Sequence, residues 1–195
     1  MKLNQLDEVF NNYAWRQEDC IMTLAGRSIQ GRRMLLPLPV SENKRLMAAR
    51  NRKVLINTPE YNRWLGRASS ALMKGNFPKF SEDKNEAIFV FTIIVYKHPL
   101  RDVIDYEKAL YDSFQRSGHV FENDRQIKER HTKGIQDKSA PCEYVVTYLC
   151  RQSELPSKYD FVVTKEQIEA MNAYITKGFE LDPLVRYLPQ ISNTS

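Results

Sequence analysis

This 195-residue chain has only three cysteines, Cys20, Cys142 and Cys150, and none forms a CxxC pair. Their odd number and wide spacing argue against a disulfide framework or a cysteine-ligated zinc centre, and fit a reducing compartment. Long apolar runs are also missing. The longest covers about ten residues, half of the roughly twenty that a bilayer-spanning helix needs, so no membrane partner is expected. Asp7 and Glu8 stand near the N-terminus and no long apolar core follows them, so no signal peptide is expected. Internal repeats and low-complexity tracts are absent. The expectation is a soluble cytoplasmic protein, bacterial or virus-encoded, with one core as the default.

Hydrophobic residues make up 42 % of the chain, enough for a folded domain, and charged residues make up 27 %. The net charge is +5, from 29 basic and 24 acidic residues, so where the charge lies matters more than its size. Between Arg27 and Lys53 the basic residues are Arg27, Arg32, Arg33, Lys44, Arg45, Arg50, Arg52 and Lys53, against one acid, Glu42. Such a segment either attracts a polyanion or is a solvated charged loop.

Hydrophobic periodicity organises the rest. Leu3, Leu6, Val9, Phe10 and Tyr13 recur at helical spacing and predict a short packing helix. Met34 to Pro39 is apolar but carries two prolines, which predicts an edge strand or one leaving its sheet. The basic stretch after it reads as a loop or hairpin closed by a short strand, Val54-Leu55-Ile56. Thr58-Pro59 starts a helix, with threonine as cap and proline at the first position. Trp64 on its apolar face reads as core before a base-stacking platform. Glu86 to Lys97 is β-branched and aromatic on both alternating sets, the pattern of a central covered strand. A helix begins after Asp102 and ends at Gly118. Ile127 to Thr132 and Glu143 to Leu149 read as two strands able to pair, joined by an exposed turn region from Gly134 to Pro141. Thr164-Lys165-Glu166-Gln167 has the form of a capping box before a last helix. The fold class expected is α+β: a small mixed β-sheet with packed helices. Its divisions are an N-terminal extension (1–30), a central domain (31–152) and a C-terminal helical extension (153–195).

The chemistry-bearing residues cluster after the central strand. Asp102, Asp105 and Lys108 share a face if the helix runs through them, and Asp124 follows the turn at Gly118. Three carboxylates can hold Mg²⁺, which prefers oxygen ligands and keeps several waters. A lysine beside them can stabilise a phosphoryl transition state. The same residues also describe a solvated helix face laced with salt bridges.

Four motifs in order bear on that choice: Leu36-Pro37-Leu38-Pro39-Val40-Ser41-Glu42-Asn43; Thr58-Pro59-Glu60-Tyr61-Asn62-Arg63; Arg101 to Phe114 (RDVIDYEKALYDSF); and Gly118 with Asn123-Asp124-Arg125-Gln126. This series resembles the RusA-type Holliday-junction resolvases over roughly residues 34–150. The resemblance implies a metal-dependent endodeoxyribonuclease of DNA recombination and repair that resolves four-way junctions. It implies Mg²⁺, with Mn²⁺ as a substitute, held by Asp102, Asp105 and Asp124. Lys108 would be the catalytic lysine, and Arg101 resembles the basic residue before the first aspartate. The family's second aspartate falls at Ile104, so either Asp105 supplies that carboxylate from a shifted helix start or the site has lost a ligand. A lost ligand leads to the alternative function, a catalytically impaired junction- or fork-binding protein. The resemblance further implies a homodimer matching the near-twofold junction. Arg32, Arg33, Lys44, Arg45, Arg50, Arg52 and Lys53 are the expected DNA contacts, with Arg101 beside them.

Overall fold

The computed structural model of the chain describes residues 3–48, 55–74, 77–99, 102–157, 159 and 163–177. The elements in chain order are α1 (Leu3–Asn12), β1 (Arg16–Leu24), β2 (Arg27–Pro37), β3 (Leu46–Ala48), β4 (Leu55–Asn57), α2 (Pro59–Met73), β5 (Ile88–Tyr96), α3 (Glu107–Ser117), β6 (Ile127–Gln136), β7 (Tyr144–Arg151) and α4 (Lys165–Lys177). Five strands form a mixed sheet in the order β1-β2-β7-β5-β6, and β3 and β4 form a separate two-stranded ribbon. The fold is α+β.

Both side-chain sets of β5 are buried from Ile88 to Val95, which requires cover on both faces of the sheet. Val95 pairs with Tyr144, whose hydroxyl donates to Asn172 of α4 at 3.0 Å. Thr92 pairs with Thr132, whose hydroxyl donates to Glu107 of α3. Successive strand residues point to opposite faces, so α4 covers one face and α3 the other. Helix α2 lies beside α3, where the Ser69 hydroxyl reaches the Ser113 carbonyl at 3.4 Å. Each fully buried leucine, valine or phenylalanine contributes roughly 1.5–3 kcal/mol. One cluster of such residues runs from Leu6 through the sheet to Ile175.

Several local expectations hold for a visible reason. Thr58 caps α2 by accepting the Tyr61 amide at 3.3 Å, with Pro59 at the first helical position. Gly118 ends α3 with φ of 71°, a left-handed conformation that costs glycine little. Thr164 and Gln167 form the reciprocal pair of a capping box, at 2.8 and 3.3 Å.

The sheet order overturns others. β2 is not an edge strand but an interior one between β1 and β7, and it leaves the sheet at Pro37, the other outcome its prolines predict, since a proline at the last residue costs no ladder bond. β6 and β7 do not pair: β5 lies between them, parallel to β6 and antiparallel to β7. Gly134 belongs to β6 and not to an exposed turn. The division at 30/31 falls inside β2, and β1 is the outer strand of the same sheet, so the N-terminal extension is part of the core. Helix α4 joins it too, burying Ile168, Met171 and Ile175.

Burial pushes the thiols of Cys20, Cys142 and Cys150 up to about 12, and the Tyr148 phenol up to about 12. The fold therefore holds their protons more tightly than the unfolded chain does. The stabilisation is complete below the ordinary thiol value of 9.0 and is lost as pH rises toward 12. Under reducing conditions the urea unfolding midpoint should stay level to about pH 8.5 and then fall steadily. A midpoint unchanged at about pH 10.5 would contradict the burial of these groups.

Candidate functional site

The chain leaves β5 at Lys97 and His98, whose amides both donate to Glu143 Oε1, at 3.0 and 3.4 Å. Val103 then packs onto β6 at Gly134, where an added Cβ would lie 2.5 Å from Val103 Cγ1. Asp102 is exposed, and its Oδ1 accepts the Ile104 amide at 2.9 Å. This bends the chain into a 3-10 turn, Ile104–Tyr106, that runs directly into α3. The helix thus starts five residues after Asp102. Asp102, Asp105 and Lys108 lie on a loop, a 3-10 turn and an α-helix respectively, not on one helical face.

Asp105 is half-buried and accepts Asn43 Nδ2 at 2.5 Å. Asn43 sits in another 3-10 turn, Glu42–Lys44. That turn is tied to the start of α2, since the Thr58 hydroxyl donates to the Lys44 carbonyl at 3.0 Å and the Thr58 amide to the Arg45 carbonyl at 2.7 Å. Lys108 Nζ donates to Asp112 Oδ1 at 2.6 Å, and Asp112 Oδ2 accepts the Tyr61 hydroxyl. Burial, and then the bond to Asp112, push the Tyr61 phenol upward, which keeps it a donor. The first, second and third of the sequence motifs therefore meet at one end of the sheet, around the N-termini of α2 and α3. A cleft of about 430 Å³ opens there, walled by Val40, Lys44, Glu60, His98, Tyr106 and Glu143. Glu60 in the first turn of α2 and Tyr106, the N-cap of α3, are among its walls, and the N-terminus of a helix favours anions.

The fourth motif lies elsewhere. Asp124 is exposed in a 3-10 turn, Asp124–Gln126, that precedes Ile127 at the start of β6. Ile127 to Gly134 is seven steps along β6, about 23 Å at strand spacing. Asp102 adjoins Val103 at the Gly134 level, so Asp102 and Asp124 stand on the order of 20 Å apart. Ligand oxygens of one Mg²⁺ lie within about 4 Å of each other, since each is roughly 2.1 Å from the ion. Asp124 therefore shares no ion with Asp102 and Asp105 within one chain, which corrects the expected triad. The cause is the parallel crossover, which puts the exit of β5 and the entry to β6 at opposite ends of the sheet. Among the described residues no three His, Cys, Asp or Glu side chains are grouped to hold a metal. The conspicuous residue of this motif is Gln126. It is buried, its Nε2 donates to Ser81 Oγ and the Asp83 carbonyl at 3.1 and 2.9 Å, and its Oε1 accepts the Glu122 and Asn123 amides.

Two expected DNA contacts are also corrected. Arg32 is buried: Nε donates to Asp19 at 2.9 Å, and Nη1 reaches the carbonyls of Pro78 and His119 at 2.7 and 3.2 Å. Arg33, on the opposite face, is paired with Glu18 and lies under the Tyr174 ring at 5.2 Å. Strand alternation sends each arginine into a packed layer instead of to a surface. Lys44 is exposed, and Arg45 is half-buried over the Tyr61 ring at 5.8 Å. Arg50, Arg52, Lys53 and Arg101 lie outside the described residues.

Sequence reading passed over four residues here. Asn43 was part of a motif with no role attached. Tyr61 and Asp112 complete the Lys108 pair, and the i, i+4 spacing of Lys108 and Asp112 was the available signal. Glu107 is buried at the head of α3, held by Thr132 and by Arg130 at 3.2 Å, and nothing in its local sequence marks it. No protein-family model matches this sequence and no curated protein matches it, so the resemblance rests on the quoted motifs alone.

The geometry around Val103 and Arg32 can be tested directly. Gly134→Ala should lower stability by about 1–3 kcal/mol, because Val103 is too stiff to yield. Adding Val103→Ala should recover part of that loss in a double-mutant cycle read by denaturant unfolding. Arg32→Met should cost roughly 2–3 kcal/mol by leaving buried carbonyls without a donor, whereas a surface arginine would cost far less.

Proposed function

We propose that this chain is a DNA-binding protein that engages branched DNA through the β3–β4 ribbon and the adjoining end of the sheet. The observation that carries this reading is the ribbon. Its strands pair with each other and, among the described residues, with no other strand. Arg50, Arg52 and Lys53 stand in the sequence between those strands. A two-stranded ribbon fits the DNA major groove, and lysines and arginines beside it neutralise phosphates. Lys44 and the helix N-termini extend the same surface. Met47 and Ile56 form one apolar side of the ribbon and Leu46 and Leu55 the other, and all four are exposed. These apolar sides support a homodimer built on a twofold axis, the symmetry of a four-way junction. The carboxylates do not converge as a triad and Lys108 is paired with Asp112, which favours binding over cleavage.

The Asn43–Asp105 contact supports a second reading, an endonuclease of the resolvase type. Mg²⁺ needs only one or two carboxylates when substrate phosphates complete its shell, and Asp102 and Asp105 are the residues that would hold it. The ion would supply Lewis-acid activation of a water. Asn43 would hold Asp105 in place, and Lys108 would face the phosphate.

Gel-shift titration with a four-way junction and a linear duplex of equal length separates these readings. Expected is a junction preference of about tenfold or more, with affinity that falls steeply with salt. Replacing Arg50, Arg52 and Lys53 by alanine should weaken binding about tenfold or more and lower the salt slope by about three. Equal affinity for duplex and junction would overturn the branched-DNA reading. Junction nicking in Mg²⁺ that Asp102→Asn abolishes would replace the first reading with the second.

A further inference from the structure

A cavity of about 650 Å³ lies away from the ribbon, at the outer edge of the sheet where β1 begins. It is formed between the end of α1, the start of β1 and the last turns of α2, and most of its aromatic wall comes from residues before position 30. That segment lies outside the stretch that resembles the resolvases. Its volume is within the range of small-molecule sites, about 300–1,000 Å³.

The lining combines flat apolar groups with positive charge. Phe10, Tyr13, Trp15 and Phe77 supply the rings. Tyr13 and Trp15 pack edge to face at 5.7 Å, and the Trp15 indole N–H donates to the Val9 carbonyl at 2.8 Å, so this wall is fixed. Arg67 and Lys74 come from α2. The Arg67 guanidinium lies 5.4 Å above the Phe10 ring and bonds to the Asn11 side chain. Neither Arg67 nor Lys74 has a carboxylate partner among the described residues. The acid in the lining is Glu18, which already serves the guanidinium groups of Arg16 and Arg33 and accepts the Tyr174 hydroxyl at 2.9 Å, and Glu8 stands within electrostatic reach of Tyr13. The carbonyl end of α2 adds about half a negative charge, less than the two unmatched cations. A pocket with aromatic walls and a net positive rim suits a planar ring that carries an anion.

We infer that this cavity binds a nucleoside monophosphate group, its base against the aromatic wall and its phosphate at Arg67 and Lys74. Base–aromatic stacking contributes about 1–3 kcal/mol per base and tolerates any sequence. Arginine and lysine are the usual phosphate partners. The group could arrive as a free nucleotide or as the 5′-phosphorylated end of a DNA strand, and both present the same chemistry.

Titrating dTMP, thymidine, inorganic phosphate and a short oligonucleotide with or without a 5′-phosphate tests this, with Trp15 fluorescence and calorimetry as readouts. Trp64 is fully buried with its indole donating to the Pro37 carbonyl, and gives a constant background. Expected is saturable binding of dTMP at least about tenfold tighter than thymidine or inorganic phosphate. Lys74→Glu, an exposed position, should weaken it about tenfold or more, with only a small drop in the thermal midpoint of the free protein because the new charge opposes the α2 dipole. Tighter binding of the 5′-phosphorylated oligonucleotide than of dTMP identifies a strand end as the occupant, and the reverse identifies a free nucleotide. The site is overturned if dTMP gives no signal up to about 10 mM, if thymidine or phosphate alone binds as well, or if Lys74→Glu changes nothing.

Discussion

Strand β5 must be covered on two sides, and nearly everything else in this protein follows from that requirement. A segment that buries Phe89, Phe91, Ile93 and Val95 on one face and Val90 and Ile94 on the other cannot lie against solvent. Helix α4 answers on one side, and α2 with α3 on the other. To bring α3 over the sheet and still continue it, the chain crosses over and re-enters in parallel as β6. That crossover decides which side chains can ever meet. Residues at the exit of β5 gather with the loop after β2 and the head of α2, while residues at the entry to β6 gather with the loop after α2.

The fold was legible wherever a residue's role is local. Thr58, Gly118 and the Thr164–Gln167 pair announce their termini because capping is settled within a few residues. The unbroken apolar run of β5 announced a central strand for the same reason. Strand order was not legible, because pairing partners are chosen across the whole chain. Nothing near Pro37 says that β1 will lie outside β2 and make it an interior strand. Nor does the apolar run of β7 say that β5 will separate it from β6.

The candidate site shows the same division. Asp102, Asp105 and Lys108 were found because they are close in sequence to one another and to a buried strand. Their distance from Asp124 was hidden, since motif order along a chain carries no information about which end of a sheet each motif occupies. Arg32 and Arg33 show a different blind spot. A run of basic residues read as surface, but an arginine that finds carbonyls, or a carboxylate under an aromatic ring, can be built into a packed layer on either face. Asn43 gained its meaning only from the partner 62 residues away that its amide meets.

Gln126 joins the connection between α3 and β6 to the loop after α2 through one buried amide group. Opening of the connection displaces Gln126 and so breaks its bonds to Ser81 and Asp83 as well as those to Glu122 and Asn123, while release of the loop strips the buried Nε2 of both its acceptors. The two segments should therefore behave as a single cooperative unit in native-state hydrogen exchange, with shared protection that reports the rupture of this knot and not the fraying of separate loops.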